Sequence, residues 1–488
     1  MDYIKFADEF YKKNILPLNS VGLKRTFRGF HLVDMYPSIK AMDNFTNKKK
    51  LIDVIKNDVL ISDKVSLYIH FPFCKNFCSY CHLYKENIYK SKNSESDYID
   101  SLIKEIAFYA KIFNKKIIAK SIYFGGGTPS LIGIDSLKHI LKTLEDYFII
   151  NKDSFISFEV YPGSSLNEVD LREKLNILKD FGVKEIVLDL QSSNDKSLED
   201  IGRGDTNFTS WKRLVKIVKN AGINGIKTSM IIGLPFDNIR TFLKSVNDIT
   251  SIKEVSTISL FLLEFREGLR VFDDLMRNPN KFCTETERDK MQILVRKTLK
   301  DKGFYEEPIH FFNRKNMKVS TIKKSAKIDT SSDSLLGFGP SSYGHIITDN
   351  NAIKYYNYAD TCYYENKINN DDLPIYRWKK LDPKSVKISK LINDIESKGF
   401  INNYEIEKKF GNILATFRKL NLIENKEGRV AFTELGKLRA EELIWFLYDK
   451  KYRVKQKKYM DNKHTKMHNY VTVVSDENEK LFLDLVKK

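Results

Sequence analysis

Between about residues 65 and 265 the chain alternates short, unbroken apolar runs with longer stretches of mixed polarity. The runs Val65–Ile69, Ser121–Phe124, Ile156–Val160, Glu185–Leu190, Lys227–Ile232 and Thr257–Leu263 read as strands covered on both faces, the pattern of a parallel sheet. Between them, Asp97–Ile112 and Phe208–Asn220 read as helices. Six strand–helix units of this kind predict an α/β fold built on a partial (β/α)6 barrel, with ligands at the carboxyl ends of its strands.

The pattern changes on either side. Residues 1–64 form an extension of their own, 65–300 the core barrel, and 301–383 a barrel extension with active-site loops. From about 384, Ser389–Lys398, Tyr404–Phe410, Ile413–Leu420, a strand pair within Leu422–Phe432, and Thr433–Leu447 predict a small winged-helix-like α+β domain ending near 450. Residues 451–488 read as a basic tail. The stretch 313–333, rich in Lys, Ser and Asp, reads as a mobile loop beside the site.

The densest chemistry lies in Cys74-Lys-Asn-Phe-Cys78-Ser-Tyr-Cys81, three thiols within eight residues. Cubane iron–sulfur clusters usually take four cysteine ligands, one per iron. Three would leave one iron open for a ligand. Zinc is the alternative that spacing leaves standing, with His82 as a fourth donor, although its place directly after Cys81 is awkward for closing a tetrahedron. Cys283 and Cys362 are isolated, so a disulfide framework does not follow.

With its flanks, Tyr68-x-His70-x-Pro72-Phe73-Cys74-x3-Cys78-x-Tyr80-Cys81 resembles the signature of radical S-adenosylmethionine (SAM) enzymes, in the branch of the oxygen-independent coproporphyrinogen III oxidases. The resemblance implies a [4Fe–4S] cluster on Cys74, Cys78 and Cys81, whose open iron binds SAM and delivers the electron that releases a 5′-deoxyadenosyl radical. It extends through five further segments. Phe124-Gly125-Gly126-Gly127-Thr128-Pro129-Ser130 is similar to the family's motif for the SAM amino group, and glycines allow a ligand to approach the backbone closely. Glu159 stands where the family has a SAM-binding glutamate. Gln191 and Arg203 lie in a segment similar to G-V-x-R-[ILV]-x-[IL]-x-[IV]-Q-S with its downstream arginine, except that Glu185 replaces the first arginine. In Gly225–Pro235, Ser229 occupies a position where many members have aspartate. Gly337-Phe338-Gly339-Pro340-Ser341-Ser342 resembles a segment that helps form a second SAM or substrate site in parts of the family.

By this resemblance the SAM site comprises Tyr68, Tyr80, Gly126, Gly127, Thr128, Glu159, Gln191, Arg203, Ser229, Gly339 and Pro340, with Tyr68, Glu159 and Arg203 closest to the chemistry. One or two SAM molecules are expected. The segment Cys81-His82-Leu83 lacks the fourth nearby cysteine of typical coproporphyrinogen oxidases, and His310-Phe-Phe-Asn313 lacks the H-N-x-x-Y-W stretch of the family's haem carriers. The glycine–proline segment at 337–342 leans toward methyltransferase-like members.

Composition narrows the setting. A 488-residue chain with 42% hydrophobic and 12% aromatic residues supports two or three packed domains. No apolar run is long enough to span a bilayer, no signal-peptide pattern opens the chain, and five cysteines suit a reducing cytoplasm. The net charge of +18 is carried mostly by lysine and agrees with an anionic small-molecule substrate, of tetrapyrrole type by the resemblance. The lysine–tyrosine run at 450–459 reads as a solvated tail, so nucleic acid is not expected. A monomer served by an electron donor such as flavodoxin or ferredoxin completes the expectation.

Overall fold

The computed structural model describes residues 1–24, 36–37, 39, 42–57, 64–89, 94–113, 115–163, 167–307, 309–315, 334–347, 352–398, 400–402, 404–453 and 476–487. The loop expected at 313–333 lies outside these residues beyond 315, as does the basic run at 450–459 beyond 453.

Six parallel strands follow one another in chain order: β1 (Lys64–Phe71), β2 (Ile117–Gly126), β3 (Phe155–Glu159), β4 (Glu185–Val187), β5 (Gly225–Ile232) and β6 (Thr257–Leu262). Beyond β6, the strand β7 (Phe311–Arg314) pairs antiparallel with it. On the other edge, β8 (Ser334–Phe338) pairs parallel with β1. It then turns back into an antiparallel run of β9 (Tyr343–Ile347), β10 (Ala352–Asn357) and β11 (Ile375–Leu381). The sheet is therefore mixed, with seven parallel strands at its centre where the apolar runs predicted six. The additional one carries the 337–342 segment, which consequently sits at a strand end of the barrel rather than beyond it.

Helices cover the outer face. Among them are α1 (Glu95–Phe113), α2 (Ile134–Tyr147), α3 (Glu168–Asp180), α4 (Phe208–Asn220), α5 (Ile239–Ser251) and α6 (Glu285–Asp301). Starts are set by local chemistry: Asn207, Asn238 and Thr284 each form a reciprocal capping box. Alternation along each strand sends Leu67, Ile69, Ile122, Phe124, Phe158, Ile186, Ile226 and Ile258 into one continuous core.

The inner face is different. Ser66 and Ser121 are hydrogen-bonded at 2.8 Å, Ser157 donates to Glu185 at 3.0 Å, Ser229 and Ser259 lie 2.8 Å apart, and Thr257 meets Asn313 at 3.2 Å. The sheet curls so far that the Lys227 ammonium on β5 comes within 5.9 Å of the Tyr123 ring on β2, and within 5.2 Å of Phe311 on β7. Barrels of this kind are usually plugged by layers of bulky branched side chains. Here the interior is lined by hydroxyls and a few charges together with the Tyr68, Tyr123 and Phe311 rings.

At the C-terminal side, α7 (Pro383–Lys398), α8 (Tyr404–Lys419) and a three-stranded sheet of Phe400–Asn402, Ile423–Lys426 and Arg429–Phe432 form a winged-helix-like unit. The segment expected as one helix from Thr433 divides into Glu434–Lys437 and Ala440–Leu447. Its core, around Phe417, Trp445 and Phe446, also takes in Leu18, Leu23 and Tyr36 of the N-terminal extension.

Candidate functional site

The strand ends of β1 to β5 and β8 converge on one face. After β1 the chain passes Pro72 and enters the cysteine loop, which is tied down at both sides. Gly127 donates its N–H to the Phe71 carbonyl at 2.5 Å, and Thr128 donates its N–H to the Phe73 carbonyl at 2.7 Å. Ser79 N–H donates to the Ile201 carbonyl at 3.0 Å. The glycine run must lie this close: a Cβ on Gly127 would fall 2.6 Å from the Phe73 oxygen. Gly126, at φ 100°, would place a Cβ 2.6 Å from the His70 ring. Only glycine suits that backbone.

Cys74, Cys78 and Cys81 are all partly accessible free thiols. Burial pushes the Cys74 thiol up to about 12 and raises Cys81 as well, so without a metal both stay protonated at neutral pH. Lys85 donates to the Cys81 carbonyl at 2.8 Å and stabilises the loop from outside. Among the described residues no group of three His, Cys, Asp or Glu side chains converges as a single-ion site. A lone zinc would need sulfur donors within about 2.3 Å of one point, whereas a cubane spreads its thiolates over separate iron corners, three of them here.

Around the loop stand the polar side chains that the motifs nominated. Glu159, ending β3, accepts a hydrogen bond from the Tyr123 hydroxyl. Burial pushes its carboxyl up to about 8, and the neighbouring Asp189 adds to the effect. Gln191 takes a left-handed backbone, φ 72°, unusual for a residue other than glycine and a form of strain that collects at functional sites. Its N–H donates to the Ser229 carbonyl at 2.9 Å, which aligns the residue with β5. Arg203 donates from Nη2 to the Asp189 carbonyl at 2.7 Å, and its guanidinium carbon lies 5.4 Å from the centre of the Tyr161 ring. Its Nη1 reaches the Tyr80 hydroxyl at 3.5 Å. Tyr68 is hydrogen-bonded to His70 Nδ1 at 2.7 Å, with its ring against Tyr123 and Tyr343. Gly339 and Pro340 follow β8, the strand beside β1.

Some placements differ from the expectation. The strand expected at Glu185–Leu190 ends at Val187, because the chain there bends to deliver Gln191. Thr128 points its hydroxyl at Cys74 Sγ, 3.6 Å away. The Ser229 hydroxyl bonds sideways to Ser259, its register partner on the adjacent strand β6. Glu185 is wholly buried, with its carboxyl raised by burial and held down in part by Lys227. Tyr123, Asp189 and Lys227 were missed by motif reading. Alternation carried one step further, from Glu159 to its neighbours on β2 and β5 and to the segment just after β4, would have found them.

Comparison with known proteins accords with this geometry. A model of the radical SAM superfamily matches residues 68–249. Heme chaperone HemW of Bacillus subtilis is 27% identical over 401 residues, covering 78% of this chain and 98% of its own. The oxygen-independent coproporphyrinogen III oxidase of Bradyrhizobium diazoefficiens is 25% identical over 293 residues, covering 58% of this chain and 62% of its own. The solved structure of coproporphyrinogen III oxidase (HemN) from Escherichia coli superimposes with a TM-score of 0.72 at 17% identity, covering 87% of this chain and 97% of that one, so the fold is shared. The likeness to the radical SAM superfamily therefore lies in residues 68–249, the part that holds the cysteine loop and the first five strands. The proteins it is similar to thus include both a heme chaperone and coproporphyrinogen III oxidases.

The radical SAM superfamily uses a [4Fe–4S] cluster and SAM, and the residues present fit that pair. The thiols suit the cluster. Gln191 Oε1, Asp189 Oδ1 and Arg203 Nε are buried without a protein partner, a cost that a polar ligand at the strand ends would relieve.

Proposed function

We propose that this chain is a cytoplasmic enzyme that cleaves SAM reductively and turns the product radical on a small carboxylated substrate of tetrapyrrole type. The observation that carries the reading is the gathering of three thiols, Glu159, Gln191 and Arg203 at adjoining strand ends of one barrel. When bound, the cluster and SAM would supply a 5′-deoxyadenosyl radical. Cys74, Cys78 and Cys81 would hold the cluster, and the Thr128 hydroxyl would steady the Cys74 sulfur. Glu159, Gln191 and Arg203 would hold SAM through its polar groups, with Tyr80 at its edge and the glycine run of 125–127 beneath. Tyr68, Tyr123 and Tyr343 would wall the reaction off from water. Lys227, inside the barrel, would face a carboxylate of the substrate. The electron would come from a carrier of the flavodoxin or ferredoxin class, to a monomeric protein. Among the described residues no helix is long and apolar enough to cross a membrane.

Product analysis under anaerobic reduction tests the reading. 5′-Deoxyadenosine is the expected product. S-adenosylhomocysteine appearing with it would identify methyl transfer, and its absence would identify oxidation of the substrate. A haem-carrier function is the second reading, favoured by the match along nearly the whole of a heme chaperone. Haem bound in the absence of any 5′-deoxyadenosine would establish it in place of the first.

Glu159 offers a separate check. Its folded pKa is raised above the unfolded value, so its contribution to stability is fully present below the ordinary carboxylate range and is lost as pH rises through about 8. Glu159→Gln is therefore expected to be more stable than the parent at pH 9, by about 1–2 kcal/mol, while binding SAM about tenfold more weakly. Thermal melts across pH and SAM titration measure the two effects. Equal stability at pH 9 would contradict the burial argument.

A further inference from the structure

Another buried carboxylate lies behind the site, on the outer helix α1. Glu105 is fully buried, and nothing in the cofactor reading uses it. Three donors from three elements converge on it. The Gly339 N–H donates to Oε2 at 2.8 Å, the Tyr364 hydroxyl to Oε2 at 2.6 Å, and Asn357 Nδ2 to Oε1 at 2.7 Å. Asn357 also donates to the Gly339 carbonyl at 3.1 Å and lies 3.0 Å from the Ser342 hydroxyl. Both ends of the Gly339 turn are thus referred to a single side chain.

The same helix holds the neighbouring strand. Tyr98, two turns before Glu105, donates its hydroxyl to the His70 carbonyl at 2.5 Å, at the point where β1 gives way to the cysteine loop. The two loops also touch. A Cβ on Gly339 would fall 2.5 Å from that His70 oxygen and 3.2 Å from the Tyr98 hydroxyl, and Gly339 takes φ 96°. Through Tyr98 and Glu105, α1 sets the height of the Gly339–Pro340 turn against the start of the cysteine loop.

We propose that Glu105 is a positioning residue for the SAM site: it holds the turn after β8 in register with the cysteine loop after β1. The inference rests on the cofactor reading above and assigns a role to a residue outside it. A carboxylate suits the task because it only accepts, and three donors meet there. Burying one without such partners would be costly. Glutamine at this position would turn a donor toward the Asn357 amide and break the pattern.

The test uses the full-length chain, reconstituted anaerobically, with three readouts: iron and sulfide content, SAM affinity, and amide hydrogen exchange without SAM. In Glu105→Gln the amides of 337–343 are expected to exchange about tenfold faster and SAM to bind about tenfold more weakly. Iron content and exchange within Gly225–Ile232 should stay at parental values. Tyr364→Phe removes one donor only and should give a smaller change of the same sign, so the proposal stays testable even where a Glu105 variant fails to fold. Parental exchange at Gly339 in these variants would overturn the proposal, as would loosening spread equally over 225–232. If the parent holds a cluster but binds no SAM, the cofactor reading fails, and the exchange data still judge the link from Glu105 to the turn.

Discussion

Cys78→Ala is expected to yield a folded chain that cannot retain a [4Fe–4S] cluster and forms no 5′-deoxyadenosine above the protein-free background. A cubane held by three thiolates has no spare ligand, so losing one leaves two irons without protein sulfur. The neighbours offer no replacement. His82 is already engaged by another group, and Cys283 lies buried with its thiol against the Asp237 carbonyl at 2.8 Å. The loop itself should persist, because backbone bonds from Gly127, Thr128 and Ser79 hold it. Iron and sulfide analysis, visible absorbance and product chromatography measure the effect. A cluster that survives in Cys78→Ala with parental turnover would remove this cysteine from the ligand set and the reading with it.

Asp289→Ala is expected to be the most destabilising single change away from the site, at about 3–5 kcal/mol. Asp289 on α6 accepts from Arg439 at 3.1 Å and 3.4 Å, and Arg439 is 1% exposed. Arg439 also donates to Asn19 of the N-terminal extension at 3.3 Å. One guanidinium therefore joins the barrel's outer helix, the extension and the C-terminal unit. Removing the carboxylate leaves the buried cation only the more distant Glu442, 4.0 Å away, which costs far more than the pair contributes when intact. Replacing both partners, Asp289→Leu with Arg439→Met, should recover most of the loss. The exposed pair Lys5–Glu9, 3.9 Å apart, is the contrast: Glu9→Ala should fall within about 0.5 kcal/mol of the parent. Denaturant unfolding of the four proteins measures the differences, and a mild Asp289→Ala would show that Arg439 reaches water.

Much of this was legible before any coordinate. Six apolar runs named six parallel strands because a strand buried on both faces leaves no room for polar alternation. The cysteine spacing stood out by itself, whereas the glycine run, Gln191 and Arg203 were nominated only through the resemblance of their segments to a known family. The seventh parallel strand, Ser334–Phe338, went unseen because its pairing to β1 spans nearly the whole barrel in sequence.

What the sequence by itself determined, then, were the features set within a few residues: strand periodicity, helix caps, the thiol spacing and the glycines that the turns require. The tertiary structure alone decided which distant residues share an environment. Glu185 and Lys227 became partners inside a polar barrel, Asp189 came to press on Glu159, and Glu105 met three donors drawn from Gly339, Asn357 and Tyr364. These are consequences of curvature and burial, which raise the stakes of every charge they enclose and which no local spacing encodes.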